Sequence, residues 1–152
     1  MFIHTVCKAL AEKQIPYAIV GGYAVALHGA VRGTVDVDIV IKWTLNNLQK
    51  TENALKELGL ISRLPINAET VFNFREEYIK NRNLIAWNFY DPKNLMNQVD
   101  IIITFDLSGT QINHIATPAG DITLLSRKDL IEMKRASGRP QDIADINALE
   151  NL

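Results

Sequence analysis

Ile19-Val20-Gly21-Gly22-Tyr23, followed after a short interval by Gly33-Thr34-Val35-Asp36-Val37-Asp38-Ile39-Val40-Ile41, is the stretch that decides how this chain is read. It predicts a strand, a glycine turn, a short helix over Tyr23–His28, and a second strand carrying two aspartates in an otherwise apolar run. Side chains alternate faces along a strand, so Asp36 and Asp38 are expected on one face with Cα atoms about 6.5 Å apart. Val35, Val37, Ile39 and Ile41 then point the other way, into a core. Asp is depleted in strands, and two carboxylates on one face repel unless a cation lies between them. Taken alone, the pair is more often two solvated aspartates on the outer face of a half-buried strand.

The upstream glycines shift that balance. Gly21 and Gly22 let the backbone turn sharply and admit a ligand closely. The start of the helix after them offers unpaired N–H groups to a phosphate. A phosphate cradle beside a carboxylate pair able to hold Mg²⁺, a hard cation with oxygen ligands, is equipment for chemistry on a nucleoside triphosphate.

Val20-Gly21-Gly22, the spacer 23–35 and Asp36-Val37-Asp38-Ile39 together resemble the nucleotidyltransferase superfamily signature, in the fold shared with DNA polymerase beta. Arg32-Gly33-Thr34 just before the aspartates resembles the small bacterial AbiEii-type, MNT-like branch. The resemblance implies an α/β fold in which helices flank a small mixed β-sheet. It implies a third carboxylate from a later strand, and Asp100 in Val99-Asp100-Ile101-Ile102-Ile103 is the position that matches. An unpaired charge in such an apolar run is costly, although an aspartate at a strand edge also satisfies the pattern.

Composition narrows the alternatives. The chain of 152 residues is expected to be a single domain over 1–152, at 47% apolar and 22% charged residues. A net charge of −1 makes no general electrostatic case for nucleic acid. Cys7 is the sole cysteine, so no internal disulfide forms and no Cys/His zinc spacing exists. Met1-Phe2-Ile3-His4 lacks a basic segment before a long apolar run, and no stretch approaches membrane-spanning length. The expectation is a soluble, cytoplasmic protein with no membrane partner. Walker, Rossmann, zincin and nucleophile-elbow motifs are all absent.

Along the chain, helical spacing predicts an amphipathic helix over 2–14 in which Cys7 is an inert buried thiol and His4 a surface residue. Tyr17–Val20 is the first strand, and His28 is expected to pack or pair at a helix end. A helix over 44–58 stops at Gly59, residues 61–66 give an edge strand, and 69–80 gives a helix with Arg75, Lys80 and Arg82 on a solvated face. Leu84–Tyr90 is a strand with Trp87 and Phe89 on the core side, closed by Asp91-Pro92. A hairpin over 112–116 and 122–125 leads to a helix capped by Ser126, with Asp129 at the capping-box position. That helix ends at Ser137-Gly138, and a last one starts at Pro140.

The closing stretch, with Lys134 near a helix end, then Gly138-Arg139, then Asp142 and Asp145, again resembles the small bacterial branch. Carried over, Lys134 meets the triphosphate, and Arg139 and Asp142 complete the nucleotide site or hold its geometry. The competing reading is that Arg139, Asp142 and Asp145 cap the turn and the last helix. Arg32 is either a phosphate contact or one half of an Arg–Asp structural pair.

The activity implied is transfer of a nucleoside monophosphate from an NTP, ATP among them, to an acceptor hydroxyl, releasing pyrophosphate. Asp36, Asp38 and Asp100 hold one or two Mg²⁺ ions, with Mn²⁺ as a substitute, and Gly21 and Gly22 give room to the β- and γ-phosphates. Relatives act on tRNA, on a partner protein or on small molecules, and a cognate toxin or antitoxin chain or a second copy of this chain can complete such a site. The other class of reading is an inactive fold kept as a binding or regulatory module of a toxin–antitoxin pair.

Overall fold

Tyr17–Val20 is an unbroken apolar run, and in the computed structural model, which describes residues 1–152, it forms a strand with all four side chains buried. In chain order the first elements are α1 (Phe2–Glu12), β1 (Tyr17–Val20), α2 (Gly21–Leu27), β2 (Val37–Ile41), α3 (Leu45–Glu57) and β3 (Ile61–Ser62). There follow α4 (Ala68–Asn73), α5 (Arg75–Arg82), β4 (Ala86–Asp91) and β5 (Asn94–Ile102). The chain closes with β6 (Ile112–Thr117), β7 (Gly120–Leu125), α6 (Arg127–Ser137) and α7 (Pro140–Glu150).

The strands form one mixed seven-stranded sheet in the order β3-β4-β5-β2-β1-β7-β6. β1 runs antiparallel to β2, while β2 with β5 and β1 with β7 are parallel pairs. Strand alternation sorts the side chains as expected. Val37, Val99 and Phe89 lie side by side in register across β2, β5 and β4, as do Ile39, Ile101 and Trp87. All six are fully buried. Asp38, Asp100 and Asn88 occupy the intervening row and project from the other face. α1 packs on β7 and α3, α3 on α4, and α6 on α7.

Several local expectations change in the fold. The aspartate strand begins at Val37, so Asp36 lies in a bend outside it. The reason is the neighbour: β1 pairs with β2 only from Tyr17↔Ile41 to Val20↔Asp38, then turns away at Gly21. α2 begins at Gly21 itself rather than at Tyr23, so the diglycine is the helix's first turn. The helical stretch over 69–80 divides at Phe74, and Arg75 leaves the solvated face. Its Nε donates to the Ile103 carbonyl at 2.6 Å and its guanidinium stacks over Trp43 at 4.7 Å. Asp91-Pro92 does not close the strand but turns it back, so β4 and β5 form a hairpin. His4 is half-buried with Nε2 3.0 Å from Thr117 Oγ1. Ser126 caps α6 by accepting from the Asp129 N–H, but the Asp129 carboxylate takes the Gln111 N–H and the Ser126 hydroxyl instead of closing a capping box.

Trp87 anchors the core beneath the site, fully buried with its Nε1–H donated to Ser62 Oγ at 2.8 Å. Trp87→Ala is expected to cost about 3–5 kcal/mol in urea unfolding; a loss under about 1 kcal/mol contradicts this packing.

Candidate active site

The site lies where β1 ends and β2 begins. Gly21 has φ +67°, and a Cβ at this position would overlap Asp38 Oδ2, so the Asp38 carboxylate stands in the space that a side chain there requires. At Gly22 a Cβ meets Thr34 Cβ at 2.7 Å, which is how the 29–36 loop comes to rest on the diglycine.

Asp38 is in register with Asp100 on the parallel neighbour β5. The two carboxyl groups therefore face each other across adjacent strands. Burial is the largest cause of the Asp38 pKa rising to about 7; the charges of Asp100 and Asp36 add to this, and Lys134 opposes. Asp36 is also raised, by burial and then by Asp100, with Arg63 opposing. Beyond Asp100 the row continues to Asn88, whose Nδ2 donates to Asp100 Oδ1 at 2.8 Å.

A divalent cation fits this pair chemically: both donors are hard carboxylate oxygens, and the register of β2 with β5 sets them side by side. No three carboxylate, His or Cys side chains are closed around one metal position. Asp38 and Asp100 meet directly, and Asp36 borders them from the bend.

Opposite the carboxylates, α6 and α7 supply an ion-pair cluster. Buried Lys134 donates to Asp145 Oδ2 at 2.8 Å and lies 3.6 Å from Asp142 Oδ1. Asp145 also accepts from Arg32 Nε and from Gln141 Nε2, each at 3.0 Å. Arg32 is therefore paired with an aspartate, one of the two roles its sequence context allowed. Asp142 takes both the backbone N–H and Nε of Arg139, at 3.1 and 2.8 Å. Burial works against the charge on Asp142, yet hydrogen bonds from Arg139 and Ser137 hold it at about 2. Burial also opposes the charge on Asp145, which Lys134, Arg32 and Gln141 keep below the usual carboxylate range. Arg139 is the outlying member, with its side chain 68% exposed.

Two cavities open from Asp38. One of about 540 Å³ is bordered by Gly21, Gly22, Arg32, Asp36, Asp38, Asp100, Lys134, Arg139 and Asp142. The other, of about 600 Å³, has an apolar floor of Val20, Ile85, Ile102, Phe105, Leu130 and Met133, and shares Asp38, Lys134 and Arg139 with the first. His28 is not in the site; it is the residue after α2, and its Nε2 is 2.8 Å from the carbonyl of Leu125 at the end of β7. Asp145, named above only within the closing stretch and as a cap of the last helix, belongs to this neighbourhood, as do Asn88 and Arg63, which no motif marks. A signal existed for Asp145, which lies three residues after Asp142 and so on the same helical face. Asn88 carried a weaker one, as the lone polar residue between two core aromatics.

No protein-family model and no curated protein matches the sequence. Solved structures do match the fold. The solution structure of the antibiotic-resistance factor ANT(2'')-Ia superposes with a TM-score of 0.64 at 12% identity, over 97% of this chain and 80% of that one. An antigenic nucleotidyltransferase-like protein from Paracoccidioides brasiliensis gives 0.60 at 20% identity, over 97% and 72%. The lincosamide antibiotic adenylyltransferase LnuA, lincomycin-bound, gives 0.58 at 14% identity, over 92% and 89%. The chain has the nucleotidyltransferase fold.

Two outcomes follow. Between about pH 4 and 7 the folded state holds a proton on Asp38 that the unfolded chain has lost. This contribution is complete below pH 4 and disappears as pH rises through 7, a loss on the order of 4 kcal/mol. Without divalent cations, Asp38→Asn is therefore expected to be more stable than the parent at pH 8 in urea unfolding, the advantage shrinking toward pH 4; a pH-independent difference contradicts the buried pair. Gly21→Ala is expected to cost more than about 1–2 kcal/mol, with part recovered by adding Asp38→Ala. Strictly additive effects contradict the close approach.

Proposed function

We propose that this chain is a nucleotidyltransferase that moves a nucleoside monophosphate from an NTP to a hydroxyl acceptor in a reaction needing a divalent cation. The observation that carries this reading is the in-register Asp38–Asp100 pair, standing in the space left by Gly21. The nucleotidyltransferase fold supports it. In this reading Asp38 and Asp100, with Asp36 at the border, hold Mg²⁺ or Mn²⁺. When bound, the cation neutralises phosphate charge and acidifies the attacking hydroxyl. The triphosphate takes the 540 Å³ cavity beside Gly21 and Gly22, where Arg139, the most exposed cation, exchanges Asp142 for a phosphate oxygen. Lys134 and Arg32 contribute positive potential from within their ion pairs. The acceptor oxygen forms a bond to the α-phosphorus as the bond to pyrophosphate breaks, and its proton passes to Asp100 as general base.

The 600 Å³ cavity supports a small-molecule acceptor, since its volume lies within the range that holds drug-sized ligands. Folds of the same type are recorded with lincomycin and with adenylyl-2''-tobramycin. A second reading, an inactive module of a toxin–antitoxin pair in the AbiEii-type branch, is favoured by one observation: Lys134, Arg32 and Arg139 are all engaged by Asp142 or Asp145.

Incubation with α-labelled NTP, Mg²⁺ and separate pools of small hydroxylated molecules, tRNA and protein distinguishes them. Labelled acceptor with released pyrophosphate is expected, reduced by more than about a hundredfold in Asp36→Ala and Asp38→Ala. Label on no acceptor, with NTP left intact, favours the module.

A further inference from the structure

Asp100 sits between two neighbours of opposite character, Asp38 on β2 and Asn88 on β4, all three in register. We propose that Asn88 is the positioning residue of Asp100: its amide N–H engages Oδ1 and leaves the rest of the carboxylate to the cation shared with Asp38, while Arg63 locks the amide. The proposal rests on the nucleotidyl-transfer reading above.

Asn88 Nδ2 is 2.8 Å from Asp100 Oδ1, and Arg63 Nε donates to Asn88 Oδ1, also at 2.8 Å. These partners allow the amide only one orientation, because a flip sets its oxygen against a carboxylate and its NH₂ against a guanidinium. Arg63 is itself restrained, lying 4.6 Å over the Tyr90 ring. Asn is a poor strand former, and Trp87 and Phe89 on either side already supply the core contacts of β4. The place of Asn88 is therefore explained by what its side chain does on the other face. A carboxylate that holds a cation requires such an outer partner, because a freely rotating one meets the metal in many orientations. Gln98 provides an internal comparison: its Oε1 accepts from the same amide at 3.2 Å and from Arg63 at 3.5 Å, and no hydrogen bond joins it to Asp100.

The test is Mn²⁺ binding to the full chain with the α,β-methylene analogue of ATP, followed by electron paramagnetic resonance. Melting temperature serves as the control for folding. Asn88→Ala and Asn88→Val are expected to weaken Mn²⁺ by about tenfold to a hundredfold, with Gln98→Ala near the parent. In turnover, the Asn88 variants are expected to lower kcat while leaving KM for the NTP within about twofold. Mn²⁺ affinity equal to the parent in either Asn88 variant, once folded, overturns the proposal; so does an equal loss in Gln98→Ala. Absence of Mn²⁺ binding in the parent overturns both this inference and the reading on which it rests. Parent-like binding in Asn88→Ala removes this inference alone.

Discussion

Two carboxyl groups are held closer together than their charges allow, and the backbone gives them no way to separate. Strands in a sheet lie about 4.8 Å apart, and the register of β2 with β5 sets Asp38 directly beside Asp100. Gly21, in a left-handed conformation, removes the one side chain that could have displaced Asp38. Burial and these neighbouring charges push the Asp38 pKa up to about 7. A divalent cation is the other way to settle the same repulsion, and it does so without neutralising the acids.

The opposite wall solves a related problem. Lys134, Asp142 and Asp145 are almost fully buried, and charges are tolerated there only when paired and hydrogen-bonded. Asp145 serves three donors from three segments: Lys134 on α6, Arg32 in the loop before β2, and Gln141 on α7. The cluster ties the loop carrying Asp36 to the last two helices, although that loop lies outside the sheet ladder. Arg139 alone combines a tie to this cluster with broad exposure, so it can change partner at the least cost in buried charge.

Much of this was legible in the residues. The strand Tyr17–Val20, the helix that follows Thr44, the stop at Gly138 and the start of α7 at Pro140 follow from local chemistry that neighbouring residues do not overrule. Asp36 was misplaced because alternation along Val35–Ile41 suits a longer strand, whereas a strand extends only as far as it has partners. Arg75 was assigned to solvent because its own segment is charged, and nothing nearby in sequence announces Trp43 or the Ile103 carbonyl. The β4–β5 hairpin was missed because Asp91-Pro92 reads as a stop, and only pairing shows that the chain returns.

The sequence by itself determined which residues could do chemistry here: a diglycine after a buried strand, two aspartates in an apolar run, and a third aspartate in a later one. Those are local facts, since propensity, alternation and charge in an apolar context act over a few residues. Only the tertiary structure decided which acids meet. Register between distant strands joins Asp38 to Asp100 and Asn88, and helix packing ties Lys134 and Arg32 to Asp145. Such contacts depend on how whole elements stack, and no short stretch of residues encodes that.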